Sequence, residues 1–466
     1  MKLGDIADIV TERISSDTIN IEDYVTTDCM LQNKCGREIA ANLPPQSCSL
    51  THFVEGDVLI ANIRPYLKKI WLADAEGGAS NDVIVFRARK GHSSSFLYAV
   101  LMQDSFFDFA MLGAKGSKMP RGDKDQMLRF DVLQTDDEEE IGEIVSSIES
   151  KIALNRSINH NLEALAKQLY DYWFVQFDFP DDNGRPYKSS GGKMVWNEKL
   201  KREIPEGWKV ESIFTALDIQ YGFPFSTELF NDEGEGVPVV RIRDIIDNTI
   251  SAYSTEKVDE RYHLAKGDLL IGMDGNFHMN VWADNNAYLN QRSVRIRGLA
   301  NSAVSVLQAK FSLSPYIKAK EQRAKGSTVG HLSDKDLKEL YILVPSSTLL
   351  REILDNILSE IIANRENILS LTKQRDELLP LLMNGQVSVN YDLYLCRNRR
   401  VLHYRMIRMP FSQMAFQTKK SPMPPMSSLL PSLEEVTKLR RKPTKFRIKP
   451  INLPPKVTQH TQKVTQ

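Results

Sequence analysis

The feature that most constrains the fold is an internal repeat of about 210 residues. The pentapeptide Gly-Asp-Val-Leu-Ile at 56–60 returns as Gly-Asp-Leu-Leu-Ile at 267–271. Farther along the chain, Ala-Lys-Gly-Ser at 114–117 returns in identical form at 324–327. Ordered matches at a nearly constant offset indicate a duplicated structural unit, because chance matches would not keep the same order and spacing. The sequence therefore predicts two similar units in tandem.

Each unit combines a strand-rich part with a helical part. Residues 51–135 contain short β-branched and aromatic runs broken by Gly and Asn clusters, which is typical of strands and turns. Residues 138–174 contain no Pro, and no Gly after Gly142, and their apolar residues recur every seven positions, which predicts a long helix. The second unit repeats this design, with a helix-start signal at 345–347. The predicted fold class is α+β: two mixed α/β domains separated by two long helices.

The two long helices are predicted to pair as an antiparallel coiled coil. In that arrangement Ile141 lies level with Leu378, and Asn155 lies opposite Asn364 at the centre. A buried polar pair there would cost stability but fix the register. Solvent exposure of either Asn is the alternative interpretation. The predicted pairing residues are Ile141, Ile148, Asn155, Leu162 and Leu169 on the first helix and Leu350, Ile357, Asn364, Leu371 and Leu378 on the second.

These patterns divide the chain into six segments. They are a first globular domain at 1–137, a first spacer helix at 138–176, a connector at 177–204, a second globular domain at 205–345, a second spacer helix at 346–385 and a C-terminal tail at 386–466. From residue 397 onward the tail holds 16 of the 60 basic residues, 2 of the 60 acidic residues and 9 of the 21 prolines. This composition predicts disorder. It also leaves residues 1–396 with a net charge of −14.

Cysteine usage and hydropathy bear on where such a chain works. Cys29, Cys35, Cys48 and Cys396 form no C-x-x-C pair, so neither a structural zinc site nor a secreted disulfide scaffold is indicated. The first residues lack the apolar core of a signal peptide, and no apolar run approaches the roughly 20 residues that span a bilayer. We therefore expect a cytoplasmic protein without membrane contact.

Known active-site motifs are missing from the sequence. It has no Gly-x-x-x-x-Gly-Lys-Ser, no His-Glu-x-x-His and no Gly-x-Ser-x-Gly motif. The acidic run at 136–140 could hold a metal, but acids at a helix start are explained by the helix dipole. His263, His278 and His331 have no nucleophile partner at a recognisable spacing. We therefore predict no catalytic residue and no metal site, and a binding function instead.

Basic, aromatic and amide residues cluster in loops of both units. Lys and Arg neutralise backbone phosphates, while Asn and Arg form paired hydrogen bonds with base edges, so these loops suit DNA. A solvated loop charge is the alternative interpretation of any one residue, but a Lys-Gly-Ser turn at matched positions favours a shared binding task. The predicted DNA-binding residues are Arg64, Tyr66, Lys68, Lys69, Lys115, Lys118 and Arg121 in the first unit and Asn276, His278, Asn280, Lys325, Thr328 and His331 in the second.

The arrangement of units, helices and connector resembles the specificity subunit of type I restriction-modification systems. The resemblance covers about residues 1–390, and its most specific elements are the connector, with Phe-Asp-Phe-Pro at 177–180 and Ile-Pro-Glu-Gly-Trp at 204–208, and the Lys-Gly-Ser turn followed by Leu332. It implies that each globular unit is a target recognition domain reading one half of a split, asymmetric DNA site. The paired helices would be a spacer and a docking surface for two methyltransferase subunits. The tail departs from the usual ending of the family, which comes soon after a Leu-Leu-Met-Asn-Gly run.

The resemblance also implies where the chemistry resides. S-adenosylmethionine would bind the methyltransferase subunits, and a further subunit would cut DNA and translocate it with ATP. S-adenosylmethionine, ATP and magnesium are thus expected on partner subunits, and this chain would hold no cofactor. Its partners would be double-stranded DNA and those subunits. Two other functions stay open: a two-domain DNA-modifying enzyme or nuclease with an unrecognised site, and a coiled-coil adaptor. Activity of the isolated chain would favour the enzyme, and a lack of sequence-dependent binding with partners would favour the adaptor.

Overall fold

The structure, a computed structural model, describes residues 1–387 apart from 117 and 325–329. The predicted disordered tail therefore lies almost wholly outside the described residues. Within them, strands and helices are mixed in both globular parts, and two helices are much longer than the rest. The predicted α+β class is confirmed.

Two four-stranded sheets form the core of the first globular domain. The strands are β1 (Ala7–Ile9), β2 (Arg13–Ser15), β3 (Tyr24–Val25), β4 (Ser49–Phe53), β5 (Val58–Ala61), β6 (Ile70–Leu72), β7 (Gly77–Ala79) and β8 (Val83–Ala88), and the helices are α1 (Leu3–Ile6), α2 (Ser94–Leu101), α3 (Asp104–Leu112) and α4 (Lys124–Met127). One sheet has the order β1-β8-β5-β6 and the other β2-β4-β7-β3. All four residues of β5 are buried, as expected for an apolar strand that has neighbours on both sides.

The second globular domain repeats the first sheet. Its strands are β11 (Lys209–Ser212), β12 (Leu217–Tyr221), β13 (Phe230–Asn231), β14 (Val237–Val240), β15 (Tyr253–Ser254), β16 (Leu269–Gly272), β17 (Met279–Val281), β18 (Tyr288–Leu289), β19 (Ser293–Gly298) and β20 (Tyr341–Val344), with helices α6 (Ile213–Ala216), α7 (Val306–Ala324) and α8 (Asp334–Lys338). The order β12-β19-β16-β17 matches β1-β8-β5-β6 strand for strand, and all its pairings are antiparallel. A hairpin of β9 (Met194–Asn197) and β10 (Arg202–Pro205) lies in the connector.

A buried ion pair explains why the Gly-Asp motif occurs in both units. Asp57, 1% exposed, accepts two hydrogen bonds of 2.8 Å from the guanidinium of Arg87 on β8. Asp268, also 1% exposed, accepts bonds of 2.6 and 2.7 Å from Arg297 on β19. Hydrogen bonding to the carboxylate raises the pKa of Arg87, so its guanidinium stays charged. Because a buried charge is tolerated only with a well-placed partner, each pair ties its strands together.

The two long helices run antiparallel. They are α5 (Glu138–Tyr170), which continues as a π-helical turn at Asp171–Val175, and α9 (Leu349–Met383). Arg375 Nη1 contacts Glu149 Oε1 at 2.7 Å, and Asn364 Nδ2 donates to Asn159 Oδ1 at 2.9 Å. Residue numbers rise along α5 as they fall along α9, which fixes the antiparallel direction.

The predicted partner of Asn364 was wrong by one helical turn. Asn364 contacts Asn159 and not Asn155, and Asn159 Nδ2 in turn donates to the carbonyl of Ile361 at 3.2 Å. Asn159 is buried, whereas Asn155 is half-buried. Two seven-residue stripes run along α5, and heptad spacing alone cannot decide which one faces the partner at its centre. The stripe through Asn159 faces the partner helix because the Asn159 amide satisfies two polar groups that the pairing buries.

The other predicted pairing residues divide by burial. Ile141, Leu350 and Ile357 are buried. The half-buried ones are Ile148, Leu162, Leu169, Leu371 and Leu378.

Each end of the helix pair is embedded in a globular core. Ile141 and Val145 near the start of α5 share the core of the first domain with Leu379 and Leu382 near the end of α9. At the other end, Ala166 and Trp173 share the core of the second domain with Leu350 and Leu354. The helix pair therefore links the two domains as one continuous packed structure. A helix of this length spans about 50 Å at about 1.5 Å per residue.

Candidate nucleic-acid interface

In the first domain, the two loops predicted to bind DNA are joined by their backbones. The amide of Arg64 donates to the carbonyl of Pro120 at 2.8 Å, and Ile63 forms an antiparallel bridge with Arg121. Residues 62–69, which follow β5, are thereby fixed against residues 115–116 and 118–122, which precede α4. We call these two segments the first loop pair. The structure thus brings together two clusters that the sequence placed about 50 residues apart.

The second domain has the same joint at the repeat offset. The amide of Gly275 donates to the carbonyl of Gly330 at 3.0 Å, and Asp274 forms an antiparallel bridge with His331. The segments involved, residues 273–280 and 330–332, are called the second loop pair. Main-chain bonds make both joints, so the joint tolerates different side chains at the same backbone positions.

Four exposed side chains of the first loop pair are basic or aromatic, and a fifth is Met119, 54% exposed. Tyr66 is 50% exposed, and Lys118 is exposed. Lys115 contacts Asp123 at 3.2 Å from a largely exposed position, and Arg121 Nη2 contacts Asp82 Oδ1 at 3.0 Å. These four residues can meet a nucleic acid without any rearrangement of the fold.

Three other predicted residues of the first domain are half-buried. Lys68 Nζ contacts Asp104 Oδ1 at 2.9 Å, and Lys69 Nζ donates to the carbonyl of Thr27 at 2.6 Å. Burial raises the pKa of Asp104, but hydrogen bonds from Lys34 and Lys68 outweigh it and lower that pKa. Arg64 is half-buried in a left-handed conformation, with φ of +55°. The side chains of Lys68 and Lys69 therefore fasten the loop to other segments of the same domain.

The predicted residues of the second domain also separate into exposed and internal ones. Asn276 is exposed at the tip of its loop and His278 is half-buried. Asn280 Nδ2 donates to the carbonyl of Ile246 at 2.6 Å, which gives it a structural role. Lys325 and Thr328 lie outside the described residues.

At the second joint the predicted residue His331 forms a polar cluster with Asp274 and Arg292, two residues that sequence reasoning missed. Asp274 Oδ2 contacts Arg292 Nη1 at 2.6 Å, and Asp274 Oδ1 contacts His331 Nδ1 at 2.6 Å. Burial raises the pKa of Asp274, but hydrogen bonds from His331 and Arg292 outweigh it and hold that pKa below its usual value. Arg292 occupies the place that Asp82 has in the first repeat. Alignment of the two repeats at this position was the signal that could have found it.

Two features are missing from the part of the chain that the structure describes. No group of three or more His, Cys, Asp or Glu side chains there could hold a metal ion. No helix within those same residues is long and apolar enough to cross a membrane.

Comparisons with known proteins agree with this architecture. Residues 205–377 match the family model described as the type I restriction modification DNA specificity domain. The chain is 26% identical over 211 residues to the type I restriction enzyme EcoBI specificity subunit of Escherichia coli, which is 44% of this chain and 44% of that protein. It is 23% identical over 362 residues to the MjaIX specificity subunit of Methanocaldococcus jannaschii, which is 74% of this chain and 80% of that protein.

A solved structure shares the fold. The S subunit of a type I restriction-modification system from M. genitalium superposes with a TM-score of 0.52 at 14% identity, covering 82% of this chain and 95% of that one. At that identity the likeness concerns the fold alone. The resemblance seen in the sequence is confirmed by the family model and the curated relatives together. Residues 205–377 thus match the type I restriction modification DNA specificity domain, and the chain is similar to type I restriction enzyme specificity subunits.

Proposed function

We propose that this chain selects the DNA target of a type I restriction-modification complex, each domain reading one half of a bipartite, asymmetric site. The observation that carries this proposal is the loop pair, which occurs in both domains on the same backbone joint with different exposed side chains. A repeated scaffold with variable side chains is suited to reading two different sequences. Direct readout needs only a few side chains at base edges, while neighbouring Lys and Arg neutralise phosphates.

The helix pair is proposed to act as an antiparallel coiled coil that sets the distance between the half-sites. Its two ends lie in different domain cores, so its length separates the two loop pairs. The contacts Asn159–Asn364 and Glu149–Arg375 support a single register. In other DNA-binding proteins the geometry of the protein sets half-site spacing in the same way.

The outer surface of the helix pair is proposed to dock two methyltransferase subunits. Leu154, Ile158 and Leu165 are 59%, 37% and 45% exposed on α5, at spacings of four and seven residues that place them on one face. On α9, Leu369 is 65% exposed. An exposed apolar stripe on a helix is typical of a protein–protein interface.

Catalysis is proposed to reside on the partner subunits. S-adenosylmethionine, ATP and magnesium would bind there, and the role of this chain would be to position the partners on the chosen sequence. This proposal is supported by the missing active-site motifs in the sequence. It predicts that the purified chain alone neither methylates nor cuts DNA.

Methylation mapping tests the proposed function. The full chain is expressed with methyltransferase subunits in cells that lack other such systems, and the methylated bases are mapped genome-wide. We expect one split, asymmetric motif with a fixed spacer, and no methylation when either component is omitted. Methylation or cleavage by the purified chain alone would contradict the proposal, as would a motif that is continuous.

A further inference from the structure

Arg292 in the second domain is held in a conformation that its own side chain does not explain. Its φ is +63°, in the left-handed region that residues with a Cβ rarely adopt. Its carbonyl accepts a hydrogen bond from the amide of Met273 at 2.8 Å, so the loop holds the backbone there. The side chain is 69% exposed and therefore gains little from packing. Backbone strain of this kind is typical of functional sites.

Asp274 fixes the direction of the Arg292 side chain. The carboxylate is 17% exposed, and it contacts Arg292 Nη1 with one oxygen and His331 Nδ1 with the other. Both partners of the carboxylate are more than half exposed. A carboxylate facing DNA would repel phosphates by itself, so its value here is to orient two donors. Because Asp274 engages Nη1, the other edge of the planar guanidinium remains available to an incoming ligand.

We propose that Arg292 is a base-reading residue of the second domain, that it recognises guanine, and that Asp274 and His331 are positioning residues. This inference rests on the proposed function. A guanidinium presents donors in a rigid fork that matches the O6 and N7 atoms of guanine in the major groove, and it does so better than any other side chain. A second ligand on Nη1 keeps the fork from rotating, which is the preorganisation that a specific contact needs.

The first domain places its exposed arginine on the joint itself, whereas Arg292 of the second domain lies beside the joint. Arg121, 61% exposed, occupies the position of His331, and its partner Asp82 occupies the position of Arg292. Both domains thus orient an exposed arginine with an aspartate near the joint, but at different matched positions. We expect the half-sites to carry a guanine at different positions relative to the joint.

The glycine variant Arg292→Gly separates reading from folding. Glycine adopts a φ of +63° without strain, so R292G should keep or raise the melting temperature of the chain. The methylation map of cells that contain R292G and the methyltransferase subunits should become degenerate at one guanine of one half-site. Discrimination at that base pair should fall by roughly 5- to 150-fold, while the other half-site and the spacer stay the same.

Two further variants make the test decisive. R292K keeps the charge but not the fork, so it should keep overall affinity and lose the same discrimination. R185K is the matched control, since Arg185 is 61% exposed and bonded to Asp181 in the connector, and its motif should stay unchanged. An unchanged R292G motif would overturn the guanine proposal and leave the proposed function intact. Weaker methylation of an unchanged motif in R292K would assign Arg292 to a phosphate and overturn it too. A wild-type motif that is not split would instead overturn the proposed function.

Discussion

The two globular domains share a backbone and differ where that backbone is exposed. Their first sheets have the same strand order, their buried Asp–Arg pairs match, and their loops meet in the same joint. Three matched positions around that joint have changed completely: Ile63, Asp82 and Arg121 in the first domain and Asp274, Arg292 and His331 in the second. Main-chain hydrogen bonds hold the joint, so its side chains are free to vary. The side-chain differences between the two domains thus lie where a ligand would bind.

The second sheets show how far the domains have diverged elsewhere. A parallel pair is kept in both, β3 with β7 and β14 with β18. In the first domain the antiparallel strand β4 joins this pair at β7, whereas in the second β15 joins it at β14. Within the parallel pair, the strand with a neighbour on each side is therefore β7 in the first domain and β14 in the second. Both sheets still have four strands. The two domains therefore resemble each other more closely in the first sheet and at the joint than elsewhere.

The largest expected effect comes from removing a buried carboxylate. D57A and D268A each leave a guanidinium without its buried partner, of Arg87 or Arg297, and should lower the free energy of unfolding of that domain by about 3–5 kcal/mol. Chemical denaturation followed by hydrogen exchange should show that the backbone amides of the altered domain lose protection before those of the other domain. E198A is the control, since Glu198 is an exposed partner of Lys201 and should change stability by less than about 0.5 kcal/mol. Equal loss of protection in both domains would break the comparison, because the two cores would then be one cooperative unit.

A second prediction concerns a variant in which the distance between the two domains is increased while the domains themselves are unchanged. Seven residues are inserted after Arg156 and seven after Glu366, points that leave Asn159–Asn364 and Glu149–Arg375 in place. A whole heptad keeps the apolar stripe aligned and adds about 10 Å of helix, or about three base pairs. Methylation mapping should give the original half-sites with a longer spacer.

The matched control for this change is an insertion in one helix alone. It should slide one side of the pairing past the other and abolish a defined motif. An original spacer in the double-insertion variant would remove the helices as the element that sets spacing.

A third prediction separates exposed lysines from internal ones in the first loop pair. K118A should weaken DNA binding at all sequences and reduce the slope of log affinity against log salt concentration by about 1. K68A should leave that slope unchanged, because Lys68 contacts Asp104 within the fold. Fluorescence anisotropy on the assembled complex at several salt concentrations measures both. The reverse result would mean that the loop rearranges on DNA.

The smallest effect concerns the acid stability of the second domain. Burial raises the pKa of Asp336, but hydrogen bonds from Lys320 and Ser333 outweigh it and lower that pKa from 3.8 to about 2. Because the pKa of Asp336 is lower in the folded state than in the unfolded state, its ionised carboxylate stabilises the fold above about pH 4. This stabilisation is lost as the pH falls towards 2. D336N should therefore cost about 1 kcal/mol at pH 7 by weakening the cap of α8, and less below pH 3.

Melting temperatures from pH 7 to pH 2 check this prediction. D232N, on an exposed loop, is the control and should follow the wild-type curve. A D336N curve that is parallel to the wild type over the whole range would show that Asp336 is not the acid-sensitive group.

Sequence reasoning succeeded where the signal was repetition and stopped where it depended on side-chain geometry. The duplicated motifs predicted two similar domains and two long helices, because repeats and heptads are properties of the chain alone. The same spacing fitted two stripes of α5, so the register was missed by one turn at Asn159. Basic composition could not distinguish Lys118, which is exposed, from Lys69, which donates to a carbonyl of its own domain. Arg292 was missed because its neighbours in space are distant in sequence.

One measurement tests the central claim, that each domain reads its own half-site through its loop pair. The methylated motif is mapped for two double variants, Lys118→Ala with Arg121→Ala in the first loop pair and Asn276→Ala with His331→Ala in the second. The account predicts that the first variant relaxes one half-site and the second relaxes the other, with the same spacer in both. Relaxation of the same half-site by both variants, or of both half-sites by either one, would contradict it.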